Sequence, residues 1–208
     1  MLEKTKKIFI LMTVLFLMAG PALAATIEVN SGVFAFTGVG GFEGGGRGQG
    51  FYVDSDFSVT TIGIFGDLKS ELFDVVIYSS TDGSNTESII SSATAHVGGS
   101  GNVWNDIDIN FTFNAGNHYI VNWRPNDLGV NNWINTIDYY YDYVLPVTIG
   151  PLILVDGLEG AYAENSENLL HPNMRYNVTN PVPEPSTILL LGSGLLGLGW
   201  YGRKRKKA

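Results

Sequence analysis

Residues 104–113 read Trp-Asn-Asp-Ile-Asp-Ile-Asn-Phe-Thr-Phe, and this stretch decides the fold class. Apolar and polar residues alternate along it with a period of two, which is typical of a β-strand with one face in a core and the other in water. The core face would carry Ile107, Ile109, Phe111 and Phe113. The wet face would carry Asp106, Asp108, Asn110 and Thr112. The stretch therefore predicts a half-buried strand of an antiparallel sheet.

Similar short runs of β-branched and aromatic residues, bounded by turn residues, lie on both sides of this strand. Roughly ten strands are predicted from eleven such runs, at 26–30, 33–37, 51–53, 59–65, 72–78, 88–97, 104–113, 118–123, 133–143, 152–155 and 174–178. No amphipathic helical stretch of any length lies among them. The pattern predicts one all-β domain over residues 25–180, an antiparallel β-sandwich of jelly-roll-like type.

Glycine is the most conspicuous feature of the composition, at 26 of 208 residues. Residues 38–50 alone hold eight glycines in thirteen positions. Because glycine-rich segments behave as flexible coils, this stretch is predicted to be a flexible loop.

Charge and cysteine content exclude several classes of function. Residues 25–181 contain four basic and eighteen acidic residues, and 4 − 18 gives a formal charge of −14. Such an acidic domain would repel phosphate backbones, so nucleic-acid binding is not expected. The chain has no cysteine, which excludes disulfides, zinc knuckles and a thiol nucleophile.

The first 24 residues have the three parts of a secretory signal peptide. Lys4, Lys6 and Lys7 precede an apolar run at 8–19, and small residues occupy the −3 and −1 positions at Ala22 and Ala24. Cleavage is expected after Ala24, so that the mature chain begins outside the cytoplasm.

The C-terminal end has the pattern of a single membrane helix. Residues 188–202 carry no charge before Arg203, and five basic residues fall within 203–208. The fourteen uncharged residues 188–201 span roughly 21 Å as a helix, less than a hydrocarbon core of about 30 Å. Trp200 and Tyr201 would lie at the interface, and the basic tail would stay cytoplasmic. A transmembrane helix at 188–202 with a cytoplasmic tail at 203–208 is therefore predicted.

Residues 181–187, ahead of this helix, contain Pro183, Glu184 and Pro185. This motif, the Leu/Gly-rich span and the basic tail together closely resemble the PEP-CTERM sorting signal of Gram-negative bacteria. The resemblance implies that exosortase, a membrane enzyme, recognises the Pro-Glu-Pro motif in an inner-membrane-anchored precursor. Removal of the helix would then bring the protein to the cell surface or extracellular matrix, where such proteins typically accompany exopolysaccharide and biofilm.

The central region resembles a second group, the uncharacterised jelly-roll repeats of bacterial surface proteins. The resemblance covers 50–124 and rests on residues 61–65, 75–78, 82–83, 102–104 and 113–121. Those repeats usually carry Gly-Trp before the long strand, whereas here Trp104 follows Val103. The resemblance implies a sandwich with an accessory or binding role and no assigned site.

Acidic pairs are the candidate chemical groups. Asp106 and Asp108 share a strand face, Asp54 and Asp56 are expected to behave similarly, and Asp82 and Glu87 lie in one polar loop. Calcium prefers such oxygen ligands, so a calcium site is possible, but no twelve-residue calcium loop is present and no cofactor is required. A solvated acidic face is the simpler interpretation. His96, His118 and His171 lack metal-ligand spacing.

Aromatic residues are the candidate ligand-stacking groups. Trp104, Trp133 and Tyr140 could present rings to sugars, although ordinary core packing is the simpler interpretation for each of them. The leading hypothesis is a non-catalytic surface or matrix protein that interacts with exopolysaccharide. The alternative is a secreted polysaccharide-processing enzyme that uses paired carboxylates such as Asp106 and Asp108.

Overall fold

The computed structural model describes residues 25–29, 35–38, 45–69, 71–99, 101–130, 134–141, 146–160, 162–163, 165–166 and 170–179. The predicted signal peptide at 1–24, the Pro-rich motif at 181–187, the membrane helix at 188–202 and the tail at 203–208 lie outside these residues. Within the described residues, there is no helix with the length and apolarity needed to cross a membrane.

The described elements are fourteen β-strands in two antiparallel sheets, which confirms the predicted all-β sandwich. The first sheet contains β1 (Ala25–Val29), β2 (Ala35–Gly38), β4 (Phe57–Leu68), β7 (Val103–Phe113), β9 (Ile134–Tyr141), β13 (Leu170–Pro172) and β14 (Met174–Val178). The second sheet contains β3 (Arg47–Val53), β5 (Glu71–Ser80), β6 (Ser88–Val97), β8 (His118–Pro125), β10 (Val147–Ile149), β11 (Leu152–Glu159) and β12 (Asn165–Ser166).

Strand order places the two ends of the domain side by side. The first sheet runs β1-β14-β4-β9-β13, with β7 on the other side of β4 and β2 on β9. The second runs β10-β11-β3-β8-β5-β6, with β12 on β11. In the ladder between β1 and β14, Ala25 lies opposite Val178. The first and last described strands are therefore hydrogen-bonded neighbours.

The hydrophobic core fills the space between the sheets, with aromatic rings at its centre. Phe113 stacks on Phe57 at a centroid distance of 4.8 Å and meets Phe51 edge-on at 5.5 Å. Along β7, Ile107 and Ile109 are also buried. The polar side chains between them face solvent or are half-buried, as their alternation in the sequence predicts.

A buried polar contact ties the two sheets together. Gln49 of the second sheet donates from Nε2 to the Pro172 carbonyl oxygen at 2.6 Å, and its Oε1 accepts from the Tyr176 hydroxyl at 2.9 Å. Both side chains are fully buried. Burial raises the pKa of Tyr176 above its ordinary value, so the phenol stays a hydrogen-bond donor.

The prediction of a flexible loop over 38–50 is wrong for its last part. Residues 47–50 belong to β3, in the middle of the second sheet between β11 and β8. A Cβ on Gly50 would lie 1.6 Å from the Gly83 carbonyl oxygen, and a Cβ on Gly48 would lie 2.8 Å from the Val121 carbonyl oxygen. The glycines here allow close approach of backbone segments.

The two sheets differ in how their outer faces are covered. Val76 and Tyr78 of β5 alternate with core residues and so face outward, yet both are buried, in a small cluster with Ile120, Leu158 and Ala163. Part of the outer face of the second sheet is therefore also apolar and buried. The outer face of the first sheet is polar, and it is this face that collects the candidate functional residues.

Candidate binding face

Two cross-strand rows of residues lie on the outer face of the first sheet. In one row Glu28, Arg175, Gly63 and Asp106 lie opposite one another across β1, β14, β4 and β7. The next row contains Thr26, Asn177, Thr61 and Asp108. We call the side chains of these two rows the polar face. Four strands about 4.8 Å apart make it roughly 14 Å wide.

An ion pair that passes over β4 organises the first row. Arg175 donates from Nε to Asp106 Oδ1 at 2.8 Å, and its second nitrogen, Nη2, donates to Oδ2. The two residues lie on the strands either side of β4, and the pair crosses that strand at Gly63. A Cβ on Gly63 would lie 2.2 Å from Asp106 Oδ1, so glycine leaves the space that the pair needs.

The electrostatics of the pair favour the charged form of Arg175 and fix its orientation. Hydrogen bonding to Asp106, with further attraction from Asp106 and Glu28, raises the pKa of Arg175 against the opposing effect of its partial burial. Both side chains are half-buried, and the contact is bidentate. Bidentate pairing fixes the guanidinium plane as well as its position.

Hydrogen bonds fix the second row in the same way. Thr26 donates from its hydroxyl to Asn177 Oδ1 at 2.9 Å, and Asn177 Nδ2 donates to the Thr61 hydroxyl oxygen. Asp108, at the end of this row, is exposed. The result is an ordered, solvent-facing array of donors and acceptors rather than a set of freely rotating side chains.

Trp104 lies beside the polar face, two residues before Asp106 on β7. Its ring is half-buried, with Phe65 edge-on at a centroid distance of 5.3 Å. The Arg175 guanidinium carbon lies 4.6 Å from the centroid of the indole ring. One ring face is therefore occupied by a cation–π contact. Trp104 and Arg175 form a single composite surface with the carboxylate of Asp106 attached to it.

Two further predicted stacking groups, Trp133 and the side chain of Tyr140, lie outside what the structure describes. Trp133 lies outside the described residues. Tyr140 lies in β9, where its backbone is paired with His171 and Ala35, and its side chain lies outside what the structure describes. Their role in ligand stacking stays a prediction.

Asp106 and Asp108 share a strand face as predicted, but they do not face each other across a cleft. Glycosidases place two carboxyl groups on opposite sides of the scissile bond, and one of them must be able to donate or accept a proton. Here both side chains project from one strand, and Asp106 is engaged by Arg175. This pair lacks the arrangement that the enzyme alternative requires.

Two of the remaining acidic candidates, Asp82 and Asp56, accept hydrogen bonds from backbone N–H groups. Asp82 accepts from the backbone N–H groups of Ser84 and Asn85 at 2.8 and 2.9 Å and from the Asn85 side chain, and these bonds lower the pKa of Asp82 to about 2. Asp54 and Asp56 lie in a turn rather than a strand, which corrects that expectation, and Asp56 accepts from the Ala115 N–H at 2.6 Å.

Within the described part of the chain, there is no cluster of three or more His, Asp and Glu side chains able to hold a metal ion. Calcium binding stays a prediction that the structure does not test.

Arg175 and Gly63 are the site residues that sequence reasoning missed. One signal for Arg175 was present, because it is one of four basic residues among eighteen acids in 25–181. Arg47 and Arg124 are likewise paired with acids, Glu159 at 3.2 Å and Asp74 at 3.6 Å. In an acidic domain each arginine has many available partners, so scarcity predicts pairing without identifying the partner.

Comparison with known proteins identifies the C-terminal segment. Residues 181–206 match the family model of the PEP-CTERM protein-sorting motif. The match contains Pro183, Glu184 and Pro185, and it confirms the resemblance drawn from the sequence. The chain is therefore an exported protein with a membrane-anchored precursor that exosortase processes.

The sandwich itself has distant structural neighbours. A solved structure of the clostridial cysteine protease Cwp84 after propeptide cleavage aligns with a TM-score of 0.40 and 12% identity, over 75% of this chain and 40% of that one. A chain of infectious bursal disease virus, Gx strain, aligns with a TM-score of 0.29 and 10% identity, over 86% of this chain and 52% of that one. The chain thus spans about half or less of either protein. None of the curated proteins compared with it matches in sequence.

Proposed function

We propose that this exosortase-sorted protein is a non-catalytic component of the cell surface or extracellular matrix of a Gram-negative bacterium, and that its sandwich binds exopolysaccharide. The observation that carries the proposal is the composite surface of Trp104, Arg175 and Asp106 on an open, ordered sheet face. The binding surface would consist of the Trp104 ring together with the polar face, which includes Arg175 and Asp106.

The chemistry of a polysaccharide fits this surface. Sugars offer apolar C–H faces to aromatic rings and hydroxyls to planar donors and acceptors. Because Arg175 covers one ring face of Trp104, a ligand would meet the exposed part of the indole and the guanidinium together. The ion pair and the Thr26–Asn177–Thr61 hydrogen bonds hold these groups in place before binding, which lowers the entropic cost of association.

The shape of the site favours a polymer over a small molecule. The rows lie on an open strand face rather than in a cleft, and residues from four strands contribute to them. An open face about 14 Å wide accommodates an extended chain that crosses the strands. Each contact would be weak, and a long ligand would gain affinity from many repeats.

Sorting would deliver this surface to its ligand. We propose that the signal peptide is removed after Ala24 and that a single helix at 188–202 then holds the precursor in the inner membrane. Exosortase would read Pro183, Glu184 and Pro185 there. The prolines prevent regular secondary structure, which supports an extended and accessible recognition peptide.

A binding assay on the processed protein, purified from its native producer, tests the proposal. The producer's own exopolysaccharide is the probe, with both bound protein and released reducing ends measured. We expect binding without depolymerisation, and Trp104→Ala should weaken binding about 10-fold or more, as for a central aromatic contact.

Tyr162→Ala is the matched control. Tyr162 is an exposed ring that also lies near an arginine, with Arg124 at 5.3 Å from its centroid, but it is not on the polar face. Its removal should leave binding unchanged. Equal binding by wild type and Trp104→Ala would refute the site. Release of oligosaccharides by the wild type would favour the enzyme alternative.

A further inference from the structure

The polar face carries an excess of negative charge. Its two rows contain one guanidinium, that of Arg175, and the three carboxylates of Glu28, Asp106 and Asp108, and 1 − 3 gives a formal charge of −2. The domain around it is also acidic, with a formal charge of −14 over residues 25–181. The potential over this face is therefore negative, and it attracts cations and repels anions.

The positive charge on the polar face is already engaged. Hydrogen bonding to Asp106, with attraction from Asp106 and Glu28, raises the pKa of Arg175. The other arginines and lysines of the described part of the chain lie off this face, in the second sheet or just after β4: Arg47, Arg124 and Lys69. An acidic sugar would therefore meet, on this face, only a guanidinium whose charge two carboxylates already balance.

The main hydrogen-bond donors of the polar face donate to its own acceptors. Two nitrogens of Arg175 donate to Asp106. In the next row Asn177 Nδ2 donates to the Thr61 hydroxyl oxygen. An ionised carboxylate, by contrast, only accepts hydrogen bonds. Asp108, exposed at the end of its row, is such an acceptor. The face is therefore better suited to a ligand that donates hydrogen bonds than to one that accepts them.

We propose, resting on the function proposed above, that the polysaccharide bound by this face is an amino-sugar polymer with unacylated amino groups, and that Asp108 binds one of its ammonium groups. An ammonium carries a positive charge and three N–H donors, so it matches both the potential and the acceptors of the face. A neutral polymer matches only the acceptors. Polymers with carboxylate, sulfate or phosphate groups match neither.

Different parts of the site would recognise the ammonium and the sugar ring. The Arg175 guanidinium already makes the cation–π contact with Trp104, which leaves the exposed part of the indole for the apolar face of a sugar. Asp108 lies on the same face of β7 four residues after Trp104, a separation of about 14 Å. Different sugars of one chain would therefore contact them. Removing the charge of Asp108 tests the ammonium contact while the ring contact is kept.

The salt dependence of binding gives the sign of the ligand's charge. The processed protein is titrated with the producer's own exopolysaccharide as NaCl rises from about 0.01 M to about 1 M, which shortens the Debye length from about 30 Å to about 3 Å. Salt screens the attraction between an acidic face and a cationic chain, so we expect affinity to fall about 10-fold or more. Affinity that rises with salt would indicate an acidic polymer, and constant affinity would indicate a neutral one. Either result would overturn the amino-sugar proposal.

Chemical acetylation of the same exopolysaccharide tests the amino groups directly. N-acetylation converts each amine to an uncharged amide and should weaken binding about 10-fold or more. Asp108→Asn should weaken binding of the untreated polymer about 5-fold, which is the size of one contact between unit charges in water. Asp54→Asn, in the turn between β3 and β4, removes the same charge away from the polar face and should leave binding unchanged. After acetylation, the wild type and Asp108→Asn should bind equally.

The outcomes separate this proposal from the one on which it rests. A wild type that does not bind the untreated exopolysaccharide would refute the proposed function itself. Binding that acetylation leaves unchanged would keep the proposed function and overturn the amino-sugar ligand. Binding that acetylation weakens but Asp108→Asn does not would overturn the placement of the ammonium at Asp108.

Discussion

Replacing Gly50 with alanine should destabilise the sandwich by about 3 kcal/mol or more, because the new methyl group has no space. A Cβ at this position would lie 1.6 Å from the Gly83 carbonyl oxygen and 2.7 Å from the Gly83 carbonyl carbon. Contacts shorter than 3.0 Å are essentially never found for real Cβ atoms. One of the two backbone segments therefore has to move.

Neither segment can move cheaply. Gly50 is buried in a central strand, where its neighbours on β8 and β11 are Ile120 and Asp156. Gly83 donates its N–H to the Ser80 hydroxyl oxygen at 2.9 Å and has a φ of +83°, which side chains other than glycine rarely adopt. Relaxation would cost ladder hydrogen bonds on one side or turn hydrogen bonds on the other, and this places the loss at the high end for overpacking.

The measurement is thermal and urea unfolding of a chain covering 25–180, followed by circular dichroism. For a domain of this size, 1 kcal/mol corresponds to a shift in Tm of about 2–4 °C, so Gly50→Ala should lower Tm by roughly 6–12 °C. Gly99→Ala is the matched control, because a Cβ there meets nothing within 4 Å. It should change stability by less than about 0.5 kcal/mol. A Tm for Gly50→Ala equal to that of the control would show that 47–50 is the loose loop its composition suggests.

Four further outcomes are expected. Glu184→Ala should leave membrane insertion intact but cause full-length precursor to accumulate in the native producer, as seen by immunoblotting, and equal processing would remove this carboxylate from recognition. The exported protein should begin at Ala25 by N-terminal sequencing, and an intact Met1 on envelope protein would contradict this. A chain covering 25–180 should be soluble and unfold cooperatively in calorimetry, whereas an aggregated product would move the domain boundary. The low pKa of Asp82 means that its hydrogen bonds stabilise the fold above pH 3.8 and are lost as pH falls towards 2. Asp82→Asn should therefore flatten the dependence of Tm on pH in that window, and an unchanged profile would refute the assignment.

Strands with a clear alternating pattern could be predicted from the sequence. The pattern in β7 is local, because the polarity of each residue indicates whether its side chain faces the core or the solvent. The short strands β10, β12 and β13 could not be predicted in this way, because two or three residues carry no period. They become visible only when their long neighbours are in place.

The prediction of a flexible loop over the glycine-rich residues 38–50 is wrong at 47–50 for a different reason. Glycine is equally suited to a mobile loop and to a strand that another backbone approaches closely, and composition does not distinguish the two. What decides the outcome at Gly50 is the position of Gly83, 33 residues away along the chain.

The same limit applied to the candidate site. Asp106 and Trp104 could be identified as polar-face candidates from their own strand, but their partner Arg175 is separated from Asp106 by 69 residues. Long-range pairing across an intervening strand leaves no trace in local sequence. From the sequence alone, Asp106 and Asp108 are therefore candidates for catalysis. The structure shows Asp106 in a bidentate ion pair with Arg175.

The ladder between β1 and β14 has a consequence for the timing of export. Ala25 pairs with Val178, so β1, which is exported first, can form its ladder only after β14 has been exported. β14 also completes β4, which forms the centre of the first sheet. Contacts of such large sequence separation form late in folding. The first sheet is therefore complete only when the chain as far as Val178, just ahead of the sorting signal, is available for pairing.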